Sequence, residues 1–168
     1  CKELNTEEGH LTFYTNYSSI KSKELESNAK CSVLFHWDKF GLQVRLRGTA
    51  IRCSNSKNDA YFSTRALGSQ VAAWASDQSK EIESLEMMDT SYQKIMDKFN
   101  IGNLENNSET KIPRPDFWGG YEIWVGEIEL WKNQKNRFHD RLKFTRNINI
   151  KNGNIEVDKK WNVTRIQP

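Results

Sequence analysis

The sequence predicts a mainly β fold, in which antiparallel strands form a small barrel and short helices attach to it. Three segments support this prediction. Residues 42–51 alternate apolar and polar side chains, which is typical of an antiparallel strand with one exposed face. Residues 31–37 form an almost continuous apolar run, which indicates a buried strand that pairs with residues 42–51 in a hairpin. Residues 121–131 form the longest run of strand-forming residues.

Further strands are predicted where β-forming residues lie between turn signals. They cover residues 10–16, 137–146 and 161–166, with a loop at residues 152–153 before the last one. Within residues 121–131 the apolar side chains change from odd to even positions near Gly126. A β-bulge at Gly126 would explain this change of phase.

Helices are predicted around these strands. A short helix within residues 17–28 has Ser18 or Ser19 as a possible N-cap. Two further short helices follow over residues 56–65 and 70–76. The predicted N-cap of the first is Ser56, Gly68 ends it, and Ser69 caps the second.

A longer amphipathic helix is predicted after residue 84. Its apolar residues recur at helical spacing and are Leu85, Met88, Tyr92, Ile95, Met96 and Phe99. We expect this face, including both methionines, to pack in a core or against a partner. Residues 100–112 are polar and predict an exposed, mobile loop.

Size and composition limit the classes of protein to consider. A chain of 168 residues predicts a single domain, and its 36% hydrophobic content suggests that dimerisation helps to complete the core. The net charge of +3 is too weak to indicate nucleic-acid binding, and no apolar run is long enough to span a membrane. Three cysteines without CxxC spacing argue against a disulfide framework or a zinc site, so we expect reduced thiols in a cytoplasmic protein.

The segment around residues 137–141 contains an unusual group of cations. On a regular strand, Arg137, His139 and Arg141 would point to the same face. Such cations repel one another unless an anion or an electron-rich ring lies among them, and arginine suits both. A solvated, charged edge strand is the alternative interpretation of this spacing.

A second group of polar residues lies near the paired short helices. Tyr61 and Arg65 are four residues apart and share one face of the first helix. Ser69 would lie at the start of the next helix, where hydroxyl and backbone N–H groups can bind a phosphate. The alternative is an ordinary helix–turn–helix connection with an exposed arginine.

Together these segments carry a family resemblance. The motifs occur in one order along the chain: FYTN (13–16), QVR (43–45), YFSTR (61–65), SQ (69–70), QS (78–79), FWGG (117–120), Trp131, RFHDR (137–141) and RIQP (165–168). The sequence resembles the pyridoxamine 5′-phosphate oxidase family over nearly its whole length. The resemblance implies an FMN-binding split barrel that works as a homodimer with FMN at the subunit interface.

The resemblance also implies roles for individual residues. The implied FMN-binding residues are Lys2, Tyr14, Thr15, Lys21, Gln43, Gln78, Ser79, Trp131 and Arg141. The implied substrate-binding residues are Lys2, Tyr61, Arg65, Ser69, Arg137 and His139, of which Arg137 and His139 are also the catalytic pair. The implied reaction oxidises pyridoxamine or pyridoxine 5′-phosphate to pyridoxal 5′-phosphate, with O2 reduced to H2O2 and no metal required.

Two departures from the family pattern leave other functions open. Ile20 stands where the family usually has an arginine, and the family strand with another FMN-contacting arginine would precede Cys1. Both differences would weaken FMN binding, because each removes a charge-assisted contact. The alternatives are another flavin-dependent split-barrel reductase, or a non-catalytic protein that binds FMN or pyridoxal phosphate.

Overall fold

The structure is a computed structural model that describes residues 1–104, 110–151 and 154–168. Within these residues the strands are β1 (Glu3–Asn5), β2 (His10–Asn16), β3 (Lys30–Trp37), β4 (Leu42–Arg52), β5 (Trp118–Lys132), β6 (Asp140–Thr145), β7 (Ile148–Lys151), β8 (Asn154–Val157) and β9 (Asn162–Arg165). The helices are α1 (Ile20–Ser27), α2 (Asn55–Ser63), α3 (Leu67–Ala75) and α4 (Leu85–Lys98). Short 3-10 turns cover Asp38–Phe40 and Lys135–Arg137.

The strands confirm the predicted antiparallel architecture. The main sheet runs in the order β1-β2-β5-β4-β3, with β6 beside β5 and β9 beside β6. The predicted hairpin is present, since β3 pairs antiparallel with β4 from Lys30 opposite Thr49 to Trp37 opposite Leu42. The sequence prediction missed β1 and the separate β7–β8 hairpin. The loop predicted at residues 152–153 lies outside the described residues.

The chain divides into two compact units. The first comprises Cys1–Phe13, Asn28–Ile51 and Glu122–Pro168, and the second comprises Tyr14–Ser27 and Arg52–Tyr121. In the first unit, buried apolar residues come from β2, β4 and β5. Gly48 allows β4 to approach β5 closely, because a Cβ atom there would collide with the carbonyl oxygen of Trp124.

In the second unit, α3 and α4 build a small core. Val71, Met96, Ile101 and Ile112 are its buried members. The amphipathic prediction for α4 is therefore confirmed at Met96. Met88 is exposed, because the apolar face of α4 joins this core only from Tyr92 onward. That Met88 packs against a partner stays a prediction. The predicted loop of residues 100–112 also buries its two ends, while residues 105–109 lie outside the described residues.

The prediction that residues 31–37 form a buried strand is wrong. Strand β3 lies at the edge of the sheet, and Leu34 on it is 57% exposed. Phe40, in the turn that follows, is 72% exposed. An apolar run alone does not distinguish a buried strand from an edge strand whose apolar side chains are not covered by the rest of the same chain.

The helix caps also differ from the prediction. The N-cap of α2 is Ser54 and not Ser56, because the Ser54 hydroxyl accepts a hydrogen bond from the backbone N–H of Lys57. Helix α3 begins at Leu67 with Ala66 at its N-cap position, so Gly68 and Ser69 lie inside its first turn. Serine is frequent near both helix starts, and the sequence pattern chose the wrong serine in each case.

After Gly126, the even-numbered positions of β5 are half-buried at Ile128 and exposed at Leu130 and Lys132. The odd-numbered positions are half-buried or, at Glu129, buried, so the odd-numbered face remains the better covered one. Its pairing with β6 is continuous from Glu127 opposite Thr145 to Lys132 opposite Asp140. The proposed bulge is therefore not needed to explain the apolar pattern, and the unexpected feature is a buried carboxylate.

The three cysteines are free in the structure. Cys1 is exposed, Cys31 is half-buried and Cys53 is buried. Burial raises the pKa of the Cys31 thiol. Among the described residues, no helix has the length and apolar character needed to cross a membrane. The same residues contain no group of three His, Cys, Asp or Glu side chains placed to hold a metal ion.

Candidate functional site

Three of the predicted cofactor residues meet at the end of β2 in the second unit. Lys21 Nζ lies 3.2 Å from Thr15 Oγ1, to which it donates. Thr15 Oγ1 in turn donates a 2.7 Å hydrogen bond to Gln78 Oε1. The same Gln78 oxygen accepts the backbone N–H of Asn16 at 3.1 Å, which fixes the orientation of the amide. We call Thr15, Lys21 and Gln78 the Thr15 cluster.

Helix α1 holds Lys21 in place through buried serines. Ser22 Oγ donates to the carbonyl oxygen of Asn16 at 2.9 Å, and Ser19 Oγ donates to Ser22 Oγ at 3.2 Å. Lys21 is exposed between them in sequence, so its ammonium is available beside the helix N-terminus, where an anion is favoured. Ser79, the next predicted cofactor residue after Gln78, has a left-handed backbone with φ of 71°.

A stack of aromatic rings occupies another part of the second unit. The rings of Tyr14 and Tyr61 are 3.9 Å apart at 10°, and Tyr14 stacks on Trp118 at 5.2 Å and 9°. The guanidinium carbon of Arg65 lies 4.7 Å from the centre of the Trp118 ring. A predicted cofactor residue, Tyr14, and two predicted substrate residues, Tyr61 and Arg65, therefore share one contact network.

The guanidinium of Arg65 is partly desolvated and incompletely paired. Burial lowers its pKa, although the nearby Tyr61 opposes this shift. Nη1 is buried, and no acceptor in the described part of the chain lies within hydrogen-bond distance of it. Ser69 is exposed in the first turn of α3. A half-buried guanidinium with one buried nitrogen that lacks an acceptor favours an anionic ligand.

In the first unit, Trp131 and His139 are brought together at the end of the β5–β6 hairpin. Their ring centroids are 4.6 Å apart at 40°. His139 Nδ1 accepts the backbone N–H of Gln134 at 3.3 Å, which leaves the proton of the neutral imidazole on Nε2. His139 and Arg141 border one groove with Gln134, Phe138 and the C-terminal Gln167.

The prediction that Arg137, His139 and Arg141 share one strand face is wrong. Strand β6 begins only at Asp140, and residues 135–137 form a 3-10 turn. Asn136 and Arg137 have left-handed backbones with φ of 58° and 65°, which breaks the alternation of a strand. Arg137 is exposed in this turn, while Arg141 lies on β6 opposite Trp131.

Arg141 makes polar contacts to two other residues. Its Nε donates to Glu129 Oε1 at 2.8 Å, its Nη2 lies 2.6 Å from the same oxygen as an ion pair, and its Nη1 donates to the carbonyl oxygen of Gln167 at 2.8 Å. The other oxygen of Glu129 pairs with Arg45 Nη2. The sequence analysis missed Glu129 altogether. The only available signal was its place as a lone carboxylate between apolar residues of a predicted strand.

Two predicted cofactor residues lie apart from these contacts. Lys2 is exposed, and its backbone N–H donates to the carbonyl oxygen of Thr12 at 2.8 Å. Gln43 is half-buried on β4 opposite His36. The structure thus gathers Thr15, Lys21 and Gln78 in one cluster, Tyr14, Tyr61 and Arg65 in a second, and Trp131, His139 and Arg141 in a third region.

Comparisons with known families agree with the resemblance in the sequence. Residues 2–98 match the family model described as pyridoxamine 5′-phosphate oxidase. Residues 118–168 match a model described as the pyridoxine 5′-phosphate oxidase C-terminal dimerisation region.

Curated relatives carry the same family name. The chain is 43% identical over 141 residues to a pyridoxine/pyridoxamine 5′-phosphate oxidase of Rubrobacter xylanophilus, which covers 83% of this chain and 61% of that protein. It is 41% identical over 166 residues to the enzyme of the same name from Dichelobacter nodosus, covering 99% of this chain and 69% of that protein. The chain therefore spans between 61% and 69% of the length of these relatives.

Solved structures share the fold. PhzG from Burkholderia lata, solved in complex with tetrahydrophenazine-1-carboxylic acid, superposes with a TM-score of 0.77 at 26% identity, covering 99% of this chain and 72% of that one. A pyridoxamine 5′-phosphate oxidase-related, FMN-binding protein from Nostoc punctiforme superposes with a TM-score of 0.66 at 10% identity, covering 99% and 77%. The expected fold class, an antiparallel split barrel with short helices, is confirmed by these neighbours.

Proposed function

This chain belongs to the pyridoxamine 5′-phosphate oxidase family, and on that basis we propose that it oxidises pyridoxamine or pyridoxine 5′-phosphate to pyridoxal 5′-phosphate. O2 would be the electron acceptor and H2O2 the second product. The substrate carbon would lose a hydride equivalent to the cofactor, and the attached hydroxyl or amine group would lose a proton. The alcohol would give the aldehyde directly, whereas the amine would give an imine that water hydrolyses with release of ammonia.

The observation that best supports this substrate class is the environment of Arg65. Its Nη1 is buried, and none of the described residues provides an acceptor for it. The guanidinium is nevertheless held in place over Trp118, beside the Tyr14–Tyr61 stack. A phosphate ester would provide the missing acceptor and a matching charge, and Tyr61 and Ser69 would add hydroxyl donors.

The residues present also fit FMN as the cofactor. In the Thr15 cluster, Gln78 uses only its oxygen as an acceptor, so its amide N–H groups and the Lys21 ammonium are available as donors. Together with Tyr14 and Ser79, they form a polar set that suits a phosphorylated, carbonyl-rich ring system. Lys2, Gln43, Trp131 and Arg141 would supply the remaining contacts. FMN, when bound, accepts the hydride equivalent and passes the electrons to O2.

The protein's own contribution would be to bind and orient the substrate. Arg137 is exposed on a turn with a fixed left-handed backbone, so its guanidinium is available to clamp the substrate. His139 is oriented by the hydrogen bond from Gln134 to Nδ1 and would present its Nε2–H to the substrate. A histidine placed in this way can position a substrate oxygen or nitrogen and hold the proton at Nε2.

We further propose that the chain works as a cytoplasmic homodimer with FMN at the interface between its two copies. The match of residues 118–168 to a dimerisation region supports this assembly. Uncovered apolar side chains on β3 and in the turn after it, notably Leu34 and Phe40, provide surface for association. Free thiols at Cys1, Cys31 and Cys53 are compatible with a reducing compartment.

A spectroscopic experiment tests the activity. The purified chain is loaded with FMN, and pyridoxamine 5′-phosphate is added without oxygen. We expect the flavin absorbance band, at about 450 nm, to bleach and then return with air, with release of H2O2. FMN binding without bleaching would refute the proposed substrate, and failure to bind FMN would refute the flavin assignment.

A second candidate function is oxidation of a different ring substrate by the same cofactor. It is favoured by the likeness to PhzG, which was solved with a tricyclic carboxylic acid and not with a vitamin B6 compound. The two candidates differ in their need for a phosphate group. Turnover of ring carboxylic acids, with none on pyridoxamine 5′-phosphate, would favour this second function.

A further inference from the structure

A two-rung ladder of ion pairs crosses three neighbouring strands of the first unit. In one rung, Glu129 of β5 pairs with Arg45 of β4 on one side and with Arg141 of β6 on the other. In the second rung, Glu127 of β5 pairs with Arg47 of β4 at 3.5 Å and with Lys143 of β6 at 2.8 Å. The two rungs share the same residue spacing, and only the Glu129 rung contains a predicted cofactor residue.

Glu129 is the more deeply buried of the two carboxylates, at 5% exposed. Burial of a carboxylate is costly unless both of its oxygens are paired. Here Oε1 accepts the Nε–H of Arg141 and lies within ion-pair distance of its Nη2, and Oε2 pairs with Arg45. Two guanidiniums and one carboxylate leave a net charge of +1 in this rung, so the rung is not self-neutralised.

The contacts of Arg141 show how its position is fixed. Of its five N–H groups, the one at Nε donates to Glu129 and one at Nη1 donates to Gln167, while Nη2 lies 2.6 Å from Glu129 Oε1 as an ion pair. One N–H group on each terminal nitrogen is left for a further acceptor. The contact between Arg141 and Glu129 runs diagonally from β6 to β5. Directly opposite each other are instead Glu129 and Lys143, and Trp131 and Arg141.

From this geometry we propose that Glu129 is a positioning residue for the cofactor: it holds Arg141 in the orientation that binds FMN. This proposal rests on the proposed function, since it requires that Arg141 contacts FMN. Without the carboxylate, Arg141 would keep only the Gln167 carbonyl as an anchor. Its side chain would then sample several rotamers, and ordering it on binding would weaken the affinity.

The test compares FMN affinity in Glu129→Gln and Glu127→Gln, measured by fluorescence titration of the full chain. Both variants remove one carboxylate charge from the same face of β5, but only the first removes the partner of Arg141. We expect Glu129→Gln to raise the Kd for FMN by about tenfold or more, and Glu127→Gln to change it by less than about twofold. Equal effects of the two variants would overturn the proposal.

A double-mutant cycle separates positioning from a general loss of charge. In an Arg141→Met background, Glu129→Gln should weaken FMN binding no further than about twofold, because the group that Glu129 positions is absent. A further loss as large as in the native background would show that Glu129 acts independently of Arg141, which contradicts the proposal.

Glu129→Gln leaves two half-buried cations without a carboxylate and can fail to fold. The double variant Glu129→Gln with Arg45→Met retains the native charge of the rung and provides a second test. We expect it to fold and still to bind FMN about tenfold more weakly than the native chain; native-like affinity would overturn the proposal. If the native chain binds no FMN, both the proposed function and this inference fail, whereas native binding with an unchanged Glu129→Gln affinity refutes the inference alone.

Discussion

Thr15 and Gln78 are joined by a 2.7 Å hydrogen bond between Thr15 Oγ1 and Gln78 Oε1, although they lie 63 positions apart in the sequence. The bond ties the end of β2 to the segment that follows α3. Because Lys21 also donates to the Thr15 hydroxyl, one buried oxygen connects all three members of the Thr15 cluster. One hydroxyl group therefore links the three side chains of this candidate cofactor site.

Replacing Thr15 by valine should loosen the cluster without changing its volume much. The loss of the hydroxyl leaves Gln78 with the Asn16 N–H and leaves Lys21 without its anchor. We expect a loss of about 1 kcal/mol in the free energy of unfolding and weaker FMN binding. Thr90→Val is the matched control, because Thr90 bonds only within α4 through the Glu86 carbonyl oxygen. Thermal unfolding and FMN titration measure the two effects, and unchanged FMN affinity in Thr15→Val would contradict the prediction.

Replacing Arg65 by alanine should remove selectivity for a phosphorylated substrate. The kcat/KM ratio of pyridoxamine 5′-phosphate to pyridoxamine should fall by about 30-fold or more, because only the phosphorylated compound uses the guanidinium. Stability should fall little, since the variant also removes a buried donor that has no acceptor among the described residues.

Arg52→Ala provides the control for Arg65→Ala. Arg52 lies over the Tyr17 ring and pairs with Glu26, so it also combines an aromatic contact with a positive charge. Arg52 is not one of the predicted substrate-binding residues. We expect the substrate ratio of Arg52→Ala to stay within about twofold of the native value. A fall of the same size as in Arg65→Ala would show that general charge, and not Arg65 itself, selects the phosphate.

Arg137 has a left-handed backbone, so its guanidinium can be removed by a glycine substitution that does not strain the turn. Glycine adopts a φ of 65° without the steric strain that the Cβ atom of arginine causes, so Arg137→Gly should not lower the free energy of unfolding. The variant nevertheless removes the proposed clamp, and we expect kcat/KM to fall by about 100-fold. Asn136→Gly is the control, because it changes the neighbouring left-handed position with φ of 58° and keeps the guanidinium. Equal losses in both variants would assign the effect to backbone flexibility.

The fold was predictable where the spacing of apolar residues in the sequence matches the side chains that the structure buries. Strand β4 alternates and lies within the sheet, and the C-terminal half of α4 packs through Met96 as its spacing indicated. The prediction failed at β3, because an apolar run does not reveal whether a neighbouring strand covers it. It also failed at Ser56 and Ser69, since neighbouring serines compete for the cap positions and local geometry decides between them.

The candidate site was predictable in residue type more than in geometry. The grouping of Tyr61 with Arg65 follows from helical spacing, and both now lie in the aromatic stack with Trp118. The common face assigned to Arg137 and His139 assumed a regular strand, and the left-handed turn at Asn136 could not be seen from the sequence. Glu129 was missed because a carboxylate within a strand is normally exposed, and only its two arginine partners explain its burial.

The Glu127 rung predicts how stability depends on pH. A hydrogen bond from Lys143 and the charges of Lys143, Arg47 and Arg45 hold the pKa of Glu127 below its ordinary value of 4.5, although burial opposes this shift. Because the pKa is lower in the folded state, ionised Glu127 stabilises the fold above about pH 4.5, and this contribution is lost as the pH falls through the folded-state pKa. We expect Glu127→Gln to lower Tm at neutral pH and to flatten its decline between about pH 5 and pH 3.

Lys143→Met, which removes the principal cause of the shift, should flatten the decline in the same way. An undiminished acid slope in both variants, measured by calorimetry, would show that other carboxylates dominate the acid unfolding of this chain.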